Sequence, residues 1–153
     1  MKKSNSIILI SILLIVDLLI KYFVSSYLEN ITIIDNFFSL NYVLNDGAAF
    51  SIFASKTYFL IIITIVCFAF LIYELINNLN DKVKALGYSL ALSGLLGNFI
   101  DRLVDGYVID YLSFKIFNYS FPIFNFADIL IVVGILIVLF KEIRGEFYEN
   151  RSK

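Results

Sequence analysis

The chain has no histidine and no tryptophan, one cysteine, one proline and a net charge of only -1. Without histidine, a serine nucleophile would need a lysine base, and neither Lys21 nor Lys56 sits in a pattern that supports one. Cys67 lies alone inside an apolar run, which excludes an intramolecular disulfide and a cysteine metal cluster. With no basic field, nucleic acid is set aside, and with no run of like charge there is no sign of a disordered tail. Charged residues make up 16% of the chain, whereas 60% is hydrophobic and the mean hydropathy is +0.88. That balance belongs to the membrane class. A spanning helix takes about 20 mostly apolar residues, and 153 residues leave room for four. The chemistry left to such a chain is that of carboxylates.

The apolar runs predict spans over residues 7–24, 57–76, 85–103 and 127–140, in one integral membrane domain covering 1–153. The basic start is read as part of a retained first span, because no small-x-small cleavage site follows and Asp17 and Lys21 interrupt the run. These two stand four apart on one helix face, the acid nearer the N-terminus, as an internal ion pair. The third span is rich in small residues, from Gly87 through Ser89, Ala91, Ser93 and Gly94 to Gly97, and is expected at the centre of the bundle.

Between the spans, loops 25–56 and 104–126 have a different character. Phe38, Leu40, Tyr42 and Leu44 alternate with polar neighbours, and Tyr107 to Phe114 also reads as a strand, so a small extramembrane sheet is expected. Asn45-Asp46-Gly47 is a turn signal, and the residues alone give Asn45 that role. Ala48, Ala49, Phe50 and Ser51 are read as the start of an interfacial segment. Lys2, Lys3, Lys82, Lys84, Lys141, Arg144, Arg151 and Lys153 place eight of the twelve basic residues on one side. The positive-inside rule then puts both termini in the cytoplasm and both large loops outside.

Gly94 to Asp128 concentrates the polar groups at the outer ends of two apolar segments. An ionisable group at membrane depth is paired, faces a wet cavity or does chemistry. Asn98, Asp101 and Arg102 share a helix face, with Arg102 expected to pair with Asp101 and to complement the helix dipole. Asp110 closes a strand-like segment and Asp128 opens the last span. Two carboxylates held close in a partly dry site cannot both ionise easily, so one keeps a proton while the other can activate a water against a peptide carbonyl. The plainer reading makes them separate turn and cap acids, Asp128 as the N-cap of the last span. Spacing alone leaves both open. No compact oxygen-rich loop argues for a metal or other cofactor.

Four motifs in order, Asp17-Leu-Leu-Ile-Lys21, Asn45-Asp-Gly-Ala-Ala-Phe-Ser51, Gly97-Asn-Phe-Ile-Asp-Arg102 continuing to Gly106-Tyr-Val-Ile-Asp110, and Phe124-Asn-Phe-Ala-Asp128, resemble those of the bacterial lipoprotein signal peptidases, or signal peptidase II. The resemblance implies an aspartic endopeptidase of the bacterial cytoplasmic (inner) membrane. It would cleave prolipoproteins before a cysteine carrying diacylglyceryl, with Asp110 and Asp128 as the catalytic dyad. Asn45, Asn98, Arg102 and Asn125 would line the site, and Asp17, Lys21, Gly47 and Asp101 would support it. The implied fold is an α-helical membrane protein: four transmembrane helices with a small extracytoplasmic β-cradle formed by the two outer loops. Membrane lipids and a globomycin-type cyclic peptide inhibitor are the further partners implied. Two other classes remain. An ion-conducting protein would spread its acids along a path across the membrane, and a structural protein would only pair and cap them.

Overall fold

The computed structural model describes residues 1–47, 53, 56–117 and 119–151. The interfacial segment expected from Ala48, Ala49, Phe50 and Ser51 lies outside them. The element order is α1 (Lys3–Tyr27), β1 (Ile31–Ile34), β2 (Phe38–Asn45), α2 (Thr57–Asn77), α3 (Lys82–Val104), β3 (Val108–Ile116), β4 (Tyr119–Ser120) and α4 (Phe126–Arg151).

Long apolar runs become helices here because a backbone in hydrocarbon must satisfy its own hydrogen bonds. α1, α2 and α3 are long and apolar enough to cross a membrane. α1 is inverted relative to a water-soluble helix. Its buried residues are Ser6, Asp17 and Lys21, while Ile8, Ile12 and Ile15 point outward. An apolar solvent is the environment that makes this distribution favourable.

α3 packs against the other three helices, as its small residues predict. Asp81 caps its start, accepting from the N–H groups of Val83 (2.9 Å) and Lys84 (3.1 Å). Gly106 follows its C-cap Asp105 in the left-handed region at φ 84°, where a glycine carries no steric penalty. Along the α3–α4 seam, a Cβ at Gly87 would come within 2.7 Å of the Gly134 carbonyl oxygen, and one at Gly94 would overlap the Ala127 carbonyl. The seam thereby fixes the first turn of α4, which carries Asp128, against α3. Leu71, Leu75, Tyr88, Leu92 and Val138 fill the space at the other end of the bundle.

The loops do form a sheet, antiparallel in the order β1-β2-β3-β4. One detail of the strand reading is corrected. The alternation of Phe38, Leu40, Tyr42 and Leu44 puts all four on one face, but the β2–β3 register shifts between Leu40 and Val43. A bulge of this kind reverses the phase of the side chains beyond it. Tyr42 and Leu44 are therefore exposed, and Val43 and Asn45 turn inward.

Candidate active site

The register beyond the bulge pairs Val43 with Asp110 and Asn45 with Val108. Residues two apart on a strand share a face, so Asn45 and Asp110 lie diagonally on one surface, within reach of a long polar side chain. Asn45 Nδ2 donates to Asp110 Oδ2 at 2.8 Å. The Asn45 Oδ1 accepts from the Gly47 N–H at 2.9 Å, so the residue forms the expected turn and also holds a carboxylate.

Asp110 is buried, with 2% of its surface exposed. Its second oxygen accepts from Asn125 Nδ2 at 2.8 Å. Asn125 is fully buried and immediately precedes α4. Its Oδ1 accepts from the Asp128 N–H at 2.9 Å, and Asp128 Oδ2 accepts from the Asn125 N–H at 3.1 Å. These reciprocal bonds form a capping box, which corrects the cap reading: Asn125 is the N-cap and Asp128 is the third helical residue.

The other Asp128 oxygen, Oδ1, accepts from Asn98 Nδ2 at 2.7 Å. Asn98 Oδ1 in turn receives Lys21 Nζ at 3.0 Å. A lysine ammonium has donors only, so it dictates which end of the Asn98 amide faces Asp128. Lys21 also pairs with Asp17 at 2.9 Å and Asp101 at 2.8 Å. Asp17 lies against Gly97, where a Cβ would overlap its carboxylate. The Asp17–Lys21 pair expected from spacing is present; the Asp101–Arg102 pair is not. Adjacent helical residues point in different directions, and Arg102 instead donates to the carbonyls of Gly47 (2.8 Å) and Asn98 (3.4 Å).

Ten residues singled out from the sequence thus converge: Asp17, Lys21, Asn45, Gly47, Asn98, Asp101, Arg102, Asp110, Asn125 and Asp128. Sequence reasoning missed Tyr111. It is buried on β3, and its phenol oxygen accepts from the Phe126 N–H at 3.1 Å, tying the sheet to the start of α4. Burial pushes its pKa up to about 12. An aromatic residue in a strand carries no sign of that role.

Asn45, Asp110 and Asp128 form the polar end of a cavity of about 880 Å³, whose other walls include Ile129, Val132 and Phe121. Burial is the main cause that pushes Asp110 up to about 6, reinforced by the nearby Asp128 carboxylate and opposed by the Asn45 hydrogen bond. A carboxyl so shifted is able to carry a proton beside a second carboxylate.

The family model for signal peptidase (SPase) II matches residues 9–144. The chain belongs to the signal peptidase II family. It is 42% identical over 126 residues to a lipoprotein signal peptidase of Clostridium tetani, a match covering 81% of each chain. Over 140 residues it is 34% identical to the Staphylococcus aureus lipoprotein signal peptidase, covering 89% of this chain and 86% of that one. A bacterial membrane enzyme solved in meso at 2.3 Å superposes with a TM-score of 0.86 at 31% identity, over 94% of this chain and 90% of its own. A second, solved at 1.9 Å, gives 0.82 at 32% identity, over 92% and 93%. The chain is a membrane peptidase with, among the described residues, three helices apolar enough to span a membrane, and a small antiparallel sheet.

Proposed function

We propose that this chain removes the signal peptide from prolipoproteins as an aspartic endopeptidase, with Asp110 and Asp128 as its dyad and a diacylglyceryl-modified cysteine just after the scissile bond. The observation that carries this reading is Asn125, which donates to Asp110 and caps the helix turn of Asp128, so that both carboxylates line one cavity.

In this mechanism the pair shares one proton, placed on the more buried Asp110, and Asp128 acts as the base. Asp128 takes a proton from water while the resulting hydroxide attacks the scissile carbonyl carbon. The Asp110 proton moves to the carbonyl oxygen as charge develops there. Collapse of the tetrahedral intermediate returns a proton to Asp110, and Asp128 gives its proton to the leaving nitrogen. The products are a signal peptide carboxylate and a free α-amino group on the lipidated cysteine. Asn98, Asn45 and Asn125 keep the two carboxyls oriented, and Arg102 holds the Gly47 turn.

The topology in this reading has four spans, α4 being the fourth. Both termini lie on the cytoplasmic side of the bacterial inner membrane and the sheet lies outside as a cradle. The basic residues at 2, 3, 82, 84, 141 and 144 support this orientation. Site and sheet then sit at the outer interface, where water reaches the dyad. A globomycin-type cyclic peptide is proposed to occupy the same cavity. The test compares a prolipoprotein with and without the diacylglyceryl group on its cysteine: cleavage of the lipidated form alone is expected, and equal cleavage of both would contradict the lipid requirement.

A further inference from the structure

The turn joining β3 and β4 carries two features that neither packing nor catalysis explains. Phe117 is 100% exposed, and it occupies the left-handed region at φ 48°, which a phenylalanine seldom adopts. Its neighbours Ile116, Tyr119 and Phe121 are also exposed, and the rings of Tyr119 and Phe121 meet edge to face at 5.2 Å. Four large apolar or aromatic side chains presented at one turn are unfavourable in water.

Continuity with α4 identifies what covers them. Tyr119 lines the same cavity as Val133. Val133 lies seven residues beyond Phe126, the first residue of α4, which is about 10 Å along the helix axis at 1.5 Å per residue. Tyr119 and Phe121 thus share one cavity with Ile129, Val132 and Val133 of α4, which are themselves exposed, so the apolar surface of the turn is continuous with the outward face of that helix. Aromatic side chains gather at the boundary between headgroups and hydrocarbon, and a nearby lysine such as Lys115 can extend its ammonium toward lipid phosphates from there.

We propose that the β3–β4 turn is a membrane-insertion element, with Phe117, Ile116 and Tyr119 seated in the outer leaflet and lipid as their partner. The inference rests on reading α4 as a span with its first turn at the outer interface. Inserted this way, the turn holds the 119–124 wall of the cavity at the bilayer surface, and the space between that wall and α4 opens sideways to a substrate arriving through lipid.

The absence of tryptophan makes the test direct, because each single-tryptophan variant reports one place. Phe117→Trp and Leu136→Trp of the full chain are reconstituted into vesicles containing lipids brominated near the glycerol or near the chain end. For Phe117→Trp, glycerol-proximal bromines are expected to at least halve the emission, chain-end bromines to act less, and aqueous acrylamide to act little. Leu136→Trp should be quenched by lipid as well. Lipid quenching at Leu136→Trp alone, with acrylamide quenching at Phe117→Trp, overturns the proposal. So does a Phe117→Trp signal insensitive to both quenchers, which would place the ring against protein, such as a second copy. No lipid quenching at Leu136→Trp would instead overturn the reading of α4 as a span, and this inference with it.

Discussion

Asn125 and Asp128 bond to each other in both directions, side chain to backbone each way, at 2.9 Å and 3.1 Å. A helix-capping device therefore sets the position of one proposed catalytic carboxylate, and the same asparagine donates to the other at 2.8 Å. The geometry of the dyad is thus written into the start of α4.

Asn125→Ala tests this coupling. Loss of an N-cap costs about 1 kcal/mol, and leaving buried polar partners unsatisfied adds roughly 1–3 kcal/mol. A displacement of about 1 Å in a catalytic group costs roughly a hundred-fold in rate. The expected outcome is a lower thermal midpoint together with a fall in kcat of that order, measured on protein confirmed to be folded. Unchanged kcat in the folded variant would show that Asn125 only caps.

Lys21→Met should destabilise through charge. Removing the cation leaves Asp17 and Asp101 without their buried partner, a change costing about 3–5 kcal/mol in buried pairs. Thermal unfolding in detergent should show a large drop, and the double variant Lys21→Met with Asp17→Asn should recover part of it. An unaltered midpoint in Lys21→Met would contradict the bonding of Lys21 to the two carboxylates.

Asp110 gives a pH dependence with a definite sign. Its pKa rises from an ordinary 3.8 to about 6 on folding, mainly through burial. The folded protein therefore binds more protons than the unfolded one between these values. The contribution is fully present below 3.8 and is lost as pH rises through about 6. At 1.36 kcal/mol per unit the difference is about 3 kcal/mol as an upper figure. Asp110→Asn should flatten this part of the stability profile relative to the unaltered protein. An equal slope in both proteins would show that Asp110 is not the shifted group.

What the sequence made legible followed from local spacing. The apolar runs predicted the helices, the small residues from Gly87 to Gly97 predicted the central one, and the i, i+4 spacing predicted the Asp17–Lys21 pair. The bond from Lys21 to Asp101 was not legible, because it joins residues eighty positions apart. Arg102 was assigned to its chain neighbour, although adjacent helical residues diverge. The inward turn of Asn45 depends on a bulge that alternation cannot signal. The capping box could have been read from Asn125-Phe-Ala-Asp128, which has the required spacing. Family motifs supplied the residues of the site, whereas the register and the cap supplied the reason that they meet. The ion-path alternative loses its footing in the same contacts, since Asp17 and Asp101, the acids nearest the bundle interior, both close on Lys21.

The most direct measurement is cleavage of a diacylglyceryl-modified prolipoprotein by the purified protein, beside Asp110→Asn and Asp128→Asn. Both variants should be folded and inserted, and both should be inactive while the unaltered protein cleaves. Turnover retained by either folded variant would contradict the dyad.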